Sequence, residues 1–112
     1  MMKKIIITNA FSINMLKGDR LVSFKKIDLE KAKELIKKWE VISAVGHTST
    51  MDLINKLLGL NLKTNRIEVK LDDDTFLLVF QLGVRLEEGK VLDEKEVEEL
   101  WNKGLISIWL VD

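Results

Sequence analysis

The sequence predicts an α/β fold, a single domain in which a mixed β-sheet is flanked by helices. Three observations predict it. The branched run Ile5-Ile6-Ile7 suits a strand buried on both faces. Apolar residues recur at helical spacing in three later segments, each opened by a capping residue. Strand-like and helix-like segments follow one another without a repeat, a proline or a low-complexity tract to mark a linker. A chain of 112 residues, 46% of them hydrophobic, suits one core, so residues 1–112 read as one domain.

Lys3 to Thr8 reads as a strand at the centre of the sheet, and Leu21 to Ile27 as a second strand. Asp28 then offers a capping oxygen, after which Leu29, Ala32, Leu35, Ile36 and Trp39 recur at helical spacing. Val41 to Val45 is apolar but too short to show a period, and it stays unassigned. Thr48, Ser49 and Thr50 supply cap hydroxyls for a second helix, whose stripe is Met51, Ile54, Leu57 and Leu58 and whose end is Gly59. Ile67, Val69 and Leu71 alternate with Arg66, Glu68 and Lys70, and Asp72 to Asp74 turn the chain into the apolar run Phe76 to Phe80. This predicts a hairpin with Arg66 at its far end. Asp93 and Glu96 have the spacing of a capping box and Leu92 with Val97 that of a staple, so a third helix runs from about Glu94 to Lys103. Ile106 to Val111 closes as a strand, and the order is β, β, α, α, β, β, α, β. The three tryptophans, Trp39, Trp101 and Trp109, lie within or beside apolar stripes and read as core.

Composition narrows the function. Without cysteine the chain has no disulfide scaffold, thiolate metal site or cysteine nucleophile. No apolar run approaches the roughly 18 residues of a membrane span, so a cytoplasmic address with no membrane partner is expected. Eighteen Lys and Arg balance eighteen Asp and Glu, which leaves no global field to hold duplex DNA but leaves a small anionic ligand open. Any two-pronged phosphate contact must come from the three arginines, Arg20, Arg66 and Arg85. A single histidine among scattered acids makes no metal constellation, no GxxxxGK loop is present, and Asp72 to Asp74 lack calcium-loop spacing. No metal and no cofactor are expected.

Three constellations remain. In Gly46-His47-Thr48-Ser49-Thr50, backbone N–H groups, hydroxyls and the positive end of a helix converge where a phosphate would sit, and an imidazole could reach its leaving oxygen. Taken alone, this reads first as an ordinary cap beside a surface histidine. From Gln81 to Lys90, an arginine and two acids lie between glycines after an apolar strand, where Arg85 could meet phosphate charge and Glu88 could orient the histidine or a ribose hydroxyl. Taken alone, this is equally a solvated turn. Asn9 to Met15 follows the central strand, and its amides and hydroxyl, those of Asn9, Ser12 and Asn14, suit a base edge or a phosphate as well as simple turn chemistry.

Together these segments resemble the small viral ring nucleases that act as anti-CRISPR proteins against type III systems, a family with relatives at CRISPR loci. The resemblance lies in Asn9 to Leu16 (NAFSINML), Gly46-His47 with Ser49-Thr50, Asn65-Arg66, and Arg85 to Lys90 (RLEEGK). It implies a homodimer that binds cyclic tetra-adenylate in a two-fold pocket between subunits. It further implies cleavage without a metal, in which a ribose 2′-hydroxyl attacks the neighbouring phosphorus and leaves a 2′,3′-cyclic phosphate. By resemblance His47 is the general acid, Arg85 stabilises the phosphorane charge, and Glu88 orients His47 or the hydroxyl. Asn9, Ser12, Asn14, Ser49, Arg66 and Gln81 fall at positions expected to touch the ligand. The rival readings are a protein that sequesters a cyclic nucleotide without cutting it, and a small viral DNA-binding regulator.

Overall fold

A computed structural model describes residues 3–87 and 89–112. In chain order the elements are β1 (Lys4–Thr8), a 3-10 turn (Ile13–Met15), β2 (Phe24–Ile27), α1 (Leu29–Lys38), β3 (Glu40–Ser43), α2 (Thr48–Leu58), β4 (Thr75–Leu82), α3 (Glu94–Asn102) and β5 (Ile106–Val111). The strands form one mixed sheet in the order β2-β5-β4-β1-β3. β1 runs parallel to both its neighbours, with Ile6 level with Ile42 on one side and Leu77 on the other. β5 runs antiparallel to β4 and β2.

The expected mixed sheet with flanking helices is therefore what the chain forms, and β1 holds the central place its three isoleucines predict. Ile5 and Ile7 are fully buried towards the helices, where they meet Leu78, Phe80 and Ile108 of the sheet and Ala32, Leu35, Ile54 and Val97 of α1, α2 and α3. Ile6 faces the other way, with Leu77, Val79 and Val111. Irregular segments, not helices, cover that second face: Phe11, Met15 and Leu16 from one loop, Val69 and Leu71 from another. Trp39 stacks on Phe76 with ring centroids 4.9 Å apart, and Trp101 packs on the helix-side core while Trp109 packs on the other.

The helix ends follow the capping chemistry of the sequence. Asp28 accepts from Lys31 N–H at 2.8 Å, and Asp93 and Glu96 form the reciprocal box. Gly59 ends α2 with φ +69°, the left-handed turn that a Cβ disfavours.

Two expectations are corrected. The hairpin between 66–71 and β4 does not form, because both edges of β4 are occupied by β1 and β5. The alternation holds only at Val69 and Leu71, which are buried, and not at Ile67, which is exposed, and it records one-sided packing of a loop on the sheet. Leu71 makes only an isolated bridge to Leu16, through its N–H to Met15 O at 2.7 Å. The segment left unassigned contains β3, so the order reads β, β, α, β, α, β, α, β. The second strand is also shorter than expected, because Leu21 stands in solvent.

Asp72 turns the chain into β4. Its carboxylate accepts from Thr75 Oγ1 at 2.6 Å and Asp74 N–H at 3.0 Å. The Thr75 hydroxyl above all holds the carboxyl below its ordinary value, against the opposing effect of burial and with help from Asp74 N–H, Lys17 and Lys4.

Replacing Phe80 with Ala should lower unfolding free energy by about 3–5 kcal/mol, whereas Ile67→Ala should cost less than about 1 kcal/mol; denaturant midpoints measure both. A lowered folded-state value means that Asp72 stabilises above its unfolded value and that this support disappears as pH falls through the folded one. The melting difference between wild type and Asp72→Asn should therefore begin to shrink below about pH 5 and go on shrinking towards about pH 2.

Candidate active site

Parallel pairing of β1, β3 and β4 brings their C-terminal ends to one edge of the sheet. Asn9 leaves β1 there, His47 follows β3 by a short connection, and Gln81 and Arg85 lie at and beyond the end of β4. These four line one cavity of about 330 Å³ together with Thr50, Leu82, Val84 and Leu86. Such a place, outside the carboxyl ends of parallel strands, is where α/β sheets commonly bind ligands.

His47 is itself the N-cap of α2, in extended conformation, and its ring Nδ1 accepts from Thr50 N–H at 3.4 Å. Thr50 Oγ1 lies 3.2 Å from the same nitrogen. The imidazole thus replaces the Ser or Thr oxygen that usually fills this role. Ser49 and Thr50 are buried in the first turn of α2, where the sequence suggested capping hydroxyls. The Ser49 hydroxyl instead donates to Glu87 O at 2.6 Å, which ties the loop after β4 to the helix.

That loop, which carries Arg85, has two further fastenings. Gly83 N–H donates to Leu105 O at 2.7 Å, and Lys56 Nζ reaches Leu92 O while pairing with Asp52 at 2.8 Å. Arg85 itself is exposed on the cavity wall. Glu88, the third expected catalytic residue, lies outside the described residues.

Arg66 and Ser49 are not among the residues that line the cavity, and Arg66 lies beside it, against the residue before His47. Asn65 is bound to the exit of β3, N–H to Val45 O at 2.8 Å and side-chain amide to Ser43 O at 3.0 Å. This lays Arg66 across Gly46, whose carbonyl oxygen is 3.4 Å from the guanidinium. A Cβ at Gly46 would stand 2.9 Å from Arg66 Cγ, so glycine is what admits the arginine there. The group that approaches the backbone at Gly46 is thus the Arg66 side chain.

Ser12 and Asn14 do not line the cavity. Ser12 caps the 3-10 turn by accepting from Asn14 N–H, and Asn14 O accepts from Lys70 Nζ at 2.7 Å. Arg20, the remaining arginine, lies in another depression, with Leu71 O at 3.4 Å and Asp73 at 3.8 Å. The sequence places Thr50 among the hydroxyls at the start of the helix but assigns it no role of its own, although its position three residues after His47 is the one whose N–H a capping side chain meets. Among the described residues no three His, Cys, Asp or Glu side chains cluster as a metal site, and no helix is long and apolar enough to cross a membrane.

Residues 5–108 match the model of the STIV B116-like family. The chain belongs to that family. It is 38% identical over 102 residues to uncharacterized protein ORF116 of Acidianus filamentous virus 1, covering 90% of this chain and 88% of that one. It is 41% identical over 92 residues to uncharacterized protein 26 of Sulfolobus islandicus filamentous virus, covering 82% and 75%. Its fold is that of B116 of Sulfolobus turreted icosahedral virus, with a TM-score of 0.84 and 41% identity across 96% of this chain and 97% of that one. The family relationship makes this a viral protein.

Ser49→Ala removes one fastening of the loop while keeping the helix cap. Faster amide exchange in residues 83–91 is expected, with a loss of global stability near 1 kcal/mol, and hydrogen-exchange spectra together with thermal melts measure the two separately.

Proposed function

We propose that the protein is a metal-independent ring nuclease that opens cyclic tetra-adenylate and so switches off type III CRISPR defence. One observation carries the reading: His47 and Arg85, a proton donor and a phosphate-binding cation from separate elements, line one cavity with the amides of Asn9 and Gln81. At about 330 Å³ this cavity is at the lower end of ligand pockets, suited to one nucleotide and far short of a ring of four. A homodimer that joins two such cavities about a two-fold axis would meet a four-fold ring symmetrically.

The substrate carries its own nucleophile. Its ribose 2′-oxygen attacks the adjacent phosphorus, the bond from phosphorus to the 5′ oxygen breaks, and a 2′,3′-cyclic phosphate remains. No metal is needed to make a nucleophile, so the protein supplies position, charge and a proton. His47 gives the proton from Nε2 to the departing 5′ oxygen, because Nδ1 is turned towards the first turn of α2. Arg85 offsets the charge that builds on the phosphorane oxygens. Glu88 orients the histidine or the attacking hydroxyl. Asn9 and Gln81 fix base or phosphate, while Ser12, Asn14, Ser49 and Arg66 contact the ring where the second subunit and ligand complete the site. Two cuts on opposite sides yield linear di-adenylates, and the setting is the host cytoplasm.

The purified protein should convert cyclic tetra-adenylate over many turnovers in excess EDTA, with products resolved by chromatography. His47→Ala should bind the ring and lose about 10²–10⁴-fold in turnover, and Arg85→Ala about 10²–10³-fold. A ring bound but left intact by the wild type would sink the nuclease and favour sequestration. Tight, salt-sensitive binding to duplex DNA would instead favour a regulator.

A further inference from the structure

The hydrogen bonds at His47 assign a role to Thr50, a residue outside the set expected from the sequence. Thr50 is 4% exposed, lines the cavity and meets Nδ1 twice, through its N–H at 3.4 Å and its Oγ1 at 3.2 Å. A backbone N–H can only donate. While it bonds to Nδ1, the neutral ring carries its proton on Nε2. A general acid must instead start as imidazolium, since a neutral ring that gave up its Nε2 proton would be left an imidazolate. In the imidazolium Nδ1 also carries a proton and becomes a donor, for which the backbone N–H of Thr50 is no partner. The hydroxyl is one, because it can turn and present its oxygen.

We propose that Thr50 is a positioning residue whose hydroxyl changes from donor to acceptor, holding the His47 ring in one orientation through each protonation state of acid catalysis. The inference rests on the ring-nuclease reading. The balance is simple: as the bond from the 2′ oxygen to phosphorus forms and that to the 5′ oxygen breaks, the Nε2 proton goes to the 5′ oxygen. The ring left behind is neutral with its proton on Nδ1, where Thr50 Oγ1 accepts it. Exchange with solvent then returns the proton to the ring for the next cycle.

Thr50→Val keeps the backbone N–H and the branched shape but deletes the hydroxyl; Thr50→Ser restores it. With cyclic tetra-adenylate, Thr50→Val should lower kcat by about 10- to 100-fold. KM should stay within about twofold, and Thr50→Ser should recover most of the rate. A ring with sulfur in place of the 5′ oxygen has a leaving group that departs without a proton, so wild type and Thr50→Val should cleave it equally. An unchanged kcat in Thr50→Val, or a loss that persists with the sulfur ring, would overturn the proposal.

A second measurement does not depend on activity. The chain has one histidine, so nitrogen-15 spectra of labelled protein report its two ring nitrogens without ambiguity. Thr50→Val should move the Nδ1 signal of the protonated ring and leave Nε2 in place. An Nδ1 signal that ignores the substitution overturns the hydrogen bond itself. Wild-type inactivity on the ring, alongside a responsive Nδ1, would instead count against the nuclease reading alone.

Discussion

The parallel pairing of β1 with β3 on one side and β4 on the other constrains everything at the site. A parallel neighbour runs in the same direction as its partner, so the three chain exits lie towards one edge of the sheet. Residues far apart in sequence, Asn9, His47 and Arg85, converge there without any long excursion of the chain. The register is held by burial on both faces of β1: a slip of one residue would exchange Ile5 and Ile7 for Ile6 and set the wrong side chains against the helices. Core packing thus fixes the site geometry as well as the stability.

On this edge α2 has two tasks. Its first turn fixes the imidazole through Nδ1, and its Ser49 and Lys56 hold the loop that carries Arg85. His47 and the loop of Arg85 are therefore both fastened to the same helix, although one precedes it and the other follows β4. A site assembled on one helix needs less ordering when a ligand arrives than one built from two independent loops.

Much of this was legible from the sequence, and what failed did so for definite reasons. Capping residues gave the ends of α1 and α3 almost to the residue, because Asp28 and Asp93 bond locally and need no partner from elsewhere. β3 escaped because four residues, Glu40 to Ser43, show no period, and only pairing with β1 makes them a strand. The alternation of 67–71 misled because one-sided burial looks the same whether a segment pairs in a ladder or lies across a face. At the site, His47, Arg85 and Asn9 were named from residue type and context and Gln81 through the resemblance alone, and the four line one cavity. Thr50 escaped because its role rests on a contact with His47 that the sequence does not specify, and the hydroxyl of Ser49 points at a carbonyl that no motif announces.

The fastenings of the loop after β4 share one property. Ser49, Lys56 and the Gly83 N–H each attach to a main-chain carbonyl, those of Glu87, Leu92 and Leu105. Every amino acid supplies that oxygen. These attachments do not depend on the loop's exposed side chains, while Leu86 and Leu92 hold it by packing on the helix-side core, so what the loop presents to solvent can change without losing how it is held.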